Sequence, residues 1–303
     1  MPHRNRSHTS ASRDASATQA TPPPAITPEL RDWIIAQAQA HVPAPVLLQA
    51  MRDAGWEEDV ALDAMETTLN AHLAQTAQQE GLPRAAALPQ PALQHSPGCV
   101  DAGDRRVEVL VSMALPRLVV FGNLLSGEEC DALIALAAPR LARSLTVDTG
   151  TGGEEVNADR TSAGMFFTRG ENPLVQRIEA RIARLLQWPL DHGEGLQVLH
   201  YPPGAEYKPH YDYFDPAEPG TPTLLRRGGQ RVATLLLYLN TPEQGGGTVF
   251  PDVFMEVAAQ RGNGVFFSYD RPHPDTRSLH GGAPVLAGEK WIATKWLRER
   301  DFL

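Results

Sequence analysis

Tyr201-Pro202-Pro203-Gly204-Ala205-Glu206-Tyr207-Lys208-Pro209-His210-Tyr211-Asp212 is the stretch on which the reading of this chain turns. His210 and Asp212 stand two residues apart, so on an extended strand their side chains project from one face. An imidazole and a carboxylate on one face, joined by a second histidine from a distant part of the chain, make a two-His-one-carboxylate set. Such a set suits iron(II), because it fills three coordination positions and leaves three open. His280 and Lys290 are the downstream residues to be read with this stretch. Alone, His-x-Asp is a short motif, and a single histidine in a strand commonly serves the core or the surface, so its surroundings must carry the reading.

Those surroundings are β-rich. Apolar runs suggest strands at Leu196–Tyr201, Tyr207–Phe214, Val232–Leu239, Thr248–Phe250, Gly264–Ser268 and Trp291–Leu297, punctuated by glycines and prolines. That pattern fits a β-sandwich or jelly roll. Upstream, Leu115–Leu125 is strand-like. Ser126-Gly127-Glu128-Glu129 forms a capping box opening a helix with Leu133, Ile134 and Leu136 on its apolar side. Asn172-Pro173 starts a second helix carrying Leu174, Val175, Ile178, Ile182 and Leu185. The Gly/Asp/Asn-rich stretch from Asp148 to Asp159 reads as a loop. The expected fold class is α+β.

Residues 1–26 are polar and end in Pro22-Pro23-Pro24, which reads as a disordered tail, with a transit-type segment over Met1–Ala20 as the alternative. Residues 27–75 form a small helical region, with helices predicted over about 28–41, 44–54 and 57–74. Residues 76–104 are Pro- and Ala-rich without period and read as a linker. Residues 105–303 make the larger, catalytic domain.

The chain has 303 residues, 42% of them hydrophobic, enough for one large domain and a smaller one. Its net charge of -9 disfavours a nucleic-acid partner, which needs a basic surface. Only Cys99 and Cys130 are present, without a CxxC pair, so neither a disulfide framework nor a zinc finger is expected. Cys130 reads as a small buried hydrophobe within a helix. No apolar run is long enough to span a bilayer, so no membrane partner is expected. The expected setting is reducing and cytoplasmic.

Taken together, Tyr201-x-x-Gly204-x-x-Tyr207-x-Pro209-His210-x-Asp212, then Gly245-Gly246-Gly247-Thr248-Val249-Phe250-Pro251, then His280 with Lys290, resembles the prolyl 4-hydroxylase family. The run from Pro284 to Trp296 is similar to that family's last strands, and the resemblance covers about residues 115–300. It implies a double-stranded β-helix (jelly-roll) catalytic domain with supporting helices. It also implies a reaction using Fe(II), 2-oxoglutarate and O2, with L-ascorbate rescuing oxidised iron. His210, Asp212 and His280 would be the metal ligands and catalytic centre. Lys290, ten residues after His280, would hold the remote carboxylate of 2-oxoglutarate; hypoxia-type relatives use Arg one position earlier, where this chain has Glu289. Tyr201 and Thr248 would hydrogen-bond the cosubstrate, and Trp296 would line its pocket. Tyr207 and Arg231 match positions that contact the substrate peptide. Arg160-Thr161-Ser162 resembles the motif beside the peptide groove.

Strand parity agrees with part of this. Lys290, Ile292, Thr294 and Trp296 share one face, and Trp291 and Lys295 the other. Lys295 is expected to be an exposed lysine. His200 should face away from Tyr201 and is not expected to be a ligand; His273, in a Pro-rich loop, is the alternative to His280. His192 is expected in solvent. The long segment Tyr213–Arg231 reads as a lid loop. The substrate expected from the resemblance is a proline-containing peptide or protein. The alternatives are free proline, another amino acid or a different protein residue with the same cofactors, and a non-catalytic binding protein. The three N-terminal helices with their Met/Gly/aromatic turn resemble a ubiquitin-associated-type bundle, a generic helical appendage being the other reading.

Overall fold

A computed structural model describes residues 26–94, 96–143, 146–147, 151, 153–155 and 161–303. The tail over 1–25, Arg160 and most of the predicted loop at 148–159 lie outside the described residues. The chain divides into two units between Glu80 and Gly81.

The smaller unit contains three helices, α1 (Pro28–Gln39), α2 (Ala44–Asp53) and α3 (Glu58–Gln79). Thr27 caps α1 by accepting the Leu30 N–H, and Pro28 follows at the first helical position. Ile34, Leu47, Met51, Ala61, Ala64 and Met65 make its core, with Trp33 and Trp56 packed against it. Gly55, with φ +92°, turns the chain between α2 and α3 in a conformation that favours glycine. Val46, Leu62 and Leu73 stay exposed. Among the described residues no helix is long and apolar enough to cross a membrane.

The larger unit is α+β, and its paired strands are antiparallel. The strands of its two main sheets are β1 (Cys99–Asp101), β2 (Arg106–Met113), β3 (Arg117–Gly122), β4 (Ala142–Arg143), β5 (Ala163–Phe167), β6 (Leu196–Tyr201), β7 (Tyr207–His210), β8 (Arg231–Tyr238), β9 (Thr248–Phe250), β10 (Met255–Val257), β11 (Gly264–Ser268), β12 (His280–Gly282) and β13 (Lys290–Arg298). A nine-stranded sheet runs β1-β2-β3-β11-β8-β13-β6-β5-β4, and a four-stranded sheet runs β10-β9-β12-β7.

Alternation along the central strands serves two cores. One face of the large sheet gives Phe121, Leu235, Leu237, Phe266, Trp291, Ala293 and Leu297 to a core shared with α4 (Gly127–Ala137) and α5 (Pro173–Leu186). The other gives Val120, Leu199, Tyr201, Leu236, Tyr238, Phe267 and Ile292 to a core shared with Phe250 and Val257 of the small sheet. Cys130 is buried on α4, as its surroundings predict. The Ser126–Glu129 capping box forms with both of its hydrogen bonds.

Three features depart from the sequence reading. Residues 76–104, read as linker, begin in the last turn of α3, include β1, and between them lie along the larger unit: Ala86, Leu88, Ala92 and Leu93 pack on its core, and the Ala86 N–H donates to Asp270 O. Small apolar side chains at irregular spacing can dock without leaving a period in the sequence. Lys295, expected in solvent, is buried and paired with Glu179 of α5, Nζ to Oε1 2.5 Å. The predicted strand Tyr207–Phe214 ends at His210, because its pairing with β12 stops at the His210–His280 register.

Candidate metal and cosubstrate site

The site lies between the two sheets. β7 and β12 pair so that His210 and His280 face each other, their ring centroids 4.4 Å apart. Asp212 follows just past the end of β7. His280 Nε2 is 3.4 Å from Asp212 Oδ2, and His210 Nε2 is 3.7 Å from Asp212 Oδ1. Their ligand atoms all lie within 4.8 Å of one another. His210 Nδ1 is 2.8 Å from Lys208 O, and His280 Nδ1 is 3.0 Å from Ser278 O. Those carbonyls can only accept, so each Nδ1 carries a proton and each Nε2 is the nitrogen presented to a metal. Burial pushes the Asp212 carboxyl up, but the facing His280, His210 and Arg231 and the Thr234 hydroxyl outweigh it. Asp212 therefore stays below the ordinary carboxylate range and is ionised. Two neutral imidazoles and one carboxylate are the donor set that fits iron(II).

Behind this triad runs a pocket lined by Leu199, Tyr201, Leu236, Thr248, Lys290, Ile292, Thr294 and Trp296, among others. The alternate positions of β13 expected on one face all reach it. Lys290 is 2% exposed, and burial lowers its ammonium to about 8 against a smaller opposing pull from Glu256. Among the described residues no carboxylate forms an ion pair with it; its neighbour is the Tyr201 ring, 5.4 Å from Nζ to centroid. A buried cation with no ion-pair partner among the described residues, lining the same pocket as a metal triad, fits the far carboxylate of a bidentate 2-oxo acid.

A sequence model of the 2OG-Fe(II) oxygenase superfamily matches residues 196–298. "Probable prolyl 4-hydroxylase 3" of Arabidopsis thaliana is 42% identical over 232 residues, covering 70% of this chain and 78% of its own length. "Prolyl 4-hydroxylase 1" of the same plant is 44% identical over 203 residues, covering 61% and 70%. A solved viral collagen prolyl hydroxylase from Paramecium Bursaria Chlorella virus-1, a 2OG complex, is 30% identical, covers 60% of this chain and 95% of its own, and superposes with a TM-score of 0.46. The chain belongs to the prolyl 4-hydroxylase family of 2-oxoglutarate- and iron(II)-dependent oxygenases.

The oxygenase's site contains residues that no motif flagged. Thr234 on β8 donates its hydroxyl to Asp212 Oδ2 at 2.6 Å. Tyr238, four positions along, donates to Thr248 Oγ1 at 2.7 Å, which leaves the Thr248 proton free for a ligand. Glu194 accepts Arg231 Nε at 2.7 Å and Nη2 at 3.0 Å. Arg231 is thereby held over the Trp296 ring, 4.0 Å from its centroid, with Nη1 3.4 Å from Asp212 O. A bulge between Arg231 and Ala233 brings Arg231 to the face shared by Thr234. Its guanidinium, expected at a peptide, lies in the wall beside the triad.

The remaining expected residues fall as follows. Tyr207 lines the pocket and stacks on the His210 ring at 3.7 Å. The Trp296 indole N–H is buried and finds no partner among the described residues. Thr161 and the Glu206 backbone bond each other beside Tyr207. His200 lies away from the pocket and meets Glu289 at 2.7 Å; His273 meets Asp275. His192 is only partly exposed and meets Asp301 at 3.0 Å. The segment expected as a lid carries a short helix, α6 (Thr221–Leu225).

Proposed function

We propose that this oxygenase hydroxylates C4 of proline within an extended peptide or protein, releasing succinate and CO2, and that its two sheets form a double-stranded β-helix, or jelly roll. The observation that carries the cosubstrate assignment is that Lys290, buried and without an ion-pair partner among the described residues, lines the same pocket as the His210–Asp212–His280 triad.

His210, Asp212 and His280 would hold iron(II), which supplies the redox chemistry that couples decarboxylation of 2-oxoglutarate to insertion of one oxygen atom of O2 into a C–H bond. The chain's own groups do the rest. Lys290 binds and neutralises the remote carboxylate, and Thr248, oriented by Tyr238, donates its hydroxyl to the same end. Tyr201 lies opposite Lys290 in the sheet register and closes that end from the side. The Trp296 indole N–H is a second donor toward the ligand. Leu199, Leu236 and Ile292 keep water from the reacting centre, which limits side reactions of the oxidant. Ascorbate would restore iron oxidised in turnovers that miss the substrate.

A peptide rather than a free amino acid is favoured by the open side of the triad. His210 is half-buried, with Tyr207 stacked on it and Tyr211 stacked on Tyr213 beyond it. Flat aromatic faces of this kind suit the rings of an extended proline-rich chain. Tyr207 and Arg231 are the peptide contacts within the described residues, and Arg160 is proposed as a third. A reducing, cytoplasmic setting is proposed with this function.

The test is incubation with iron(II), 2-oxoglutarate, ascorbate and proline-rich peptides, followed by mass spectrometry. A +16 Da peptide whose modified residue is 4-hydroxyproline, in step with succinate, is the expected result. Succinate formed with free proline but with no peptide would overturn the substrate assignment, and full turnover by His210→Ala would overturn the site.

A further inference from the structure

One buried hydroxyl beside the triad is not used by the chemistry above. Tyr269 follows the end of β11 and is 1% exposed. Its Oη lies 3.0 Å from Thr234 Oγ1, whose own distance to Asp212 Oδ2 is 2.6 Å. The supply of protons fixes the direction of both bonds. An ionised carboxylate only accepts, so Thr234 spends its single proton on Asp212. The proton in the other bond must then come from Tyr269. The result is a chain of donors, Tyr269 to Thr234 to Asp212, each polarised by the next.

This chain is held by backbone and rings. Thr234 pairs with Phe267 across β8 and β11, and the Tyr269 N–H donates to Val232 O at 2.9 Å. The Tyr269 ring meets Tyr213 edge-on at 6.0 Å and Phe267 at 6.3 Å. The phenol is fixed on several sides and cannot readily turn its proton elsewhere. It therefore holds the Thr234 hydroxyl, and that hydroxyl holds one oxygen of Asp212. That oxygen, Oδ2, lies 3.4 Å from His280 Nε2 with part of its lone-pair density spent on Thr234, while Oδ1 carries no such bond and lies 3.7 Å from His210 Nε2.

We propose that Tyr269 is a positioning residue which, through Thr234, locks the rotation of the Asp212 carboxylate so that only one of its oxygens is available to iron(II). A carboxylate free to turn could offer both oxygens and occupy a position needed by 2-oxoglutarate or O2. The proposal rests on the iron(II) and 2-oxoglutarate reading of the site.

The experiment compares wild type, Tyr269→Phe, Thr234→Val, Thr234→Ser and the Tyr269→Phe/Thr234→Val double variant. Binding of Mn(II) to the apoprotein is followed by electron paramagnetic resonance, and the ratio of succinate to hydroxylated peptide is measured on the iron-loaded enzyme. Removing a direct second-layer partner weakens metal binding about 10- to 100-fold, so Tyr269→Phe, one bond further out, should weaken Mn(II) about three- to tenfold. It should also raise the uncoupled share of turnover severalfold while leaving the KM for 2-oxoglutarate within about twofold. Thr234→Val should do more, Thr234→Ser should retain wild-type behaviour, and the double variant should match Thr234→Val, since the link is already broken there.

Mn(II) affinity and coupling unchanged in Tyr269→Phe would overturn the proposal. So would penalties that add in the double variant, or a Thr234→Ser protein as impaired as Thr234→Val. A Tyr269→Phe protein that fails to fold, judged by circular dichroism, would also count against it, because the hydroxyl would then serve the core. Absence of Mn(II) binding by wild type would instead remove the metal-site reading beneath it.

Discussion

Lys290 on β13 stands directly opposite Tyr201 on β6, with its ammonium 5.4 Å from the centre of the phenol ring. The ring's electron-rich face is a weak partner for a buried charge, far weaker than a carboxylate. The pocket therefore keeps a cation unsatisfied until an anion arrives.

Replacing that cation should cost cosubstrate affinity first. Lys290→Met should raise the KM for 2-oxoglutarate about 100-fold, equivalent to ~2.7 kcal/mol, the scale of a lost charge-assisted hydrogen bond. Mn(II) binding to the apoprotein should stay near wild type. Steady-state kinetics beside metal titration checks both halves, and a KM change under fivefold would contradict the assignment.

The lowered Lys290 value gives a pH signature. Below about 8 the free enzyme carries the charge, and above it the ammonium deprotonates. The KM for 2-oxoglutarate should be flat from pH 6.5 to 7.5 and then climb roughly tenfold per unit, while kcat at saturation stays level because bound 2-oxoglutarate retains the proton. A KM still flat at pH 9.5 would show that the ammonium is not the anchor.

Thr248→Val removes one neutral donor to the same carboxylate and should raise this KM about tenfold, in line with ~1.5 kcal/mol for a hydrogen bond to a charged group. Tyr238→Phe frees the Thr248 hydroxyl from its partner without deleting it, so its effect should be smaller. Measuring both variants at one pH orders them; the reverse order would mean that Tyr238 acts in some other way.

Acid stability should report on Glu129. Burial pushes its carboxyl up, but Arg181, the Ser126 N–H and Arg177 overcome this and hold it at about 2. Because the folded value lies below the unfolded one, its stabilising effect is complete above about pH 4.5 and is lost as pH falls toward 2. Glu129→Gln should destabilise by about 3 kcal/mol at pH 7, since it leaves Arg181 short of charge. The gap in Tm between variant and wild type should narrow steadily below pH 4.5, and a gap that is constant from pH 7 to 3 would rule the ion pair out as its source.

The Lys295–Glu179 pair is a structural counterpart with no access to the pocket. Lys295→Met alone should cost about 3–5 kcal/mol by stranding Glu179, whereas Lys295→Met with Glu179→Met should cost less than the single change. Chemical denaturation of both proteins tests the sign.

What could be read from the sequence follows a pattern. The triad and Lys290 carry spacing information: His210 at the end of β7 with Asp212 two residues on, then a ten-residue step from His280, then alternation along β13. The hydroxyls of Thr234, Tyr238 and Tyr269 carry none, because a threonine or tyrosine in an apolar strand looks like any core residue until its partner is known. Their partners sit 10 to 35 residues away. Glu194 was missed for the same reason, its partner Arg231 being 37 residues on. Lys295 misled because burial of a lysine depends on one glutamate 116 residues away, which only folding brings near. β2 escaped notice since Leu110 and Val111 are exposed, so its apolar residues do not follow burial.

The alternation along β13 also sets where this chain can change length. Lys290, Ile292, Thr294 and Trp296 look toward the cosubstrate, and Trp291 and Lys295 look toward α5 and its core. Inserting one residue just before Lys290 would exchange the two sets wholesale, sending the anchor into the helix-side core and an unrelated lysine toward the iron. The turn at Gly288 is thus a fixed ruler for the whole pocket.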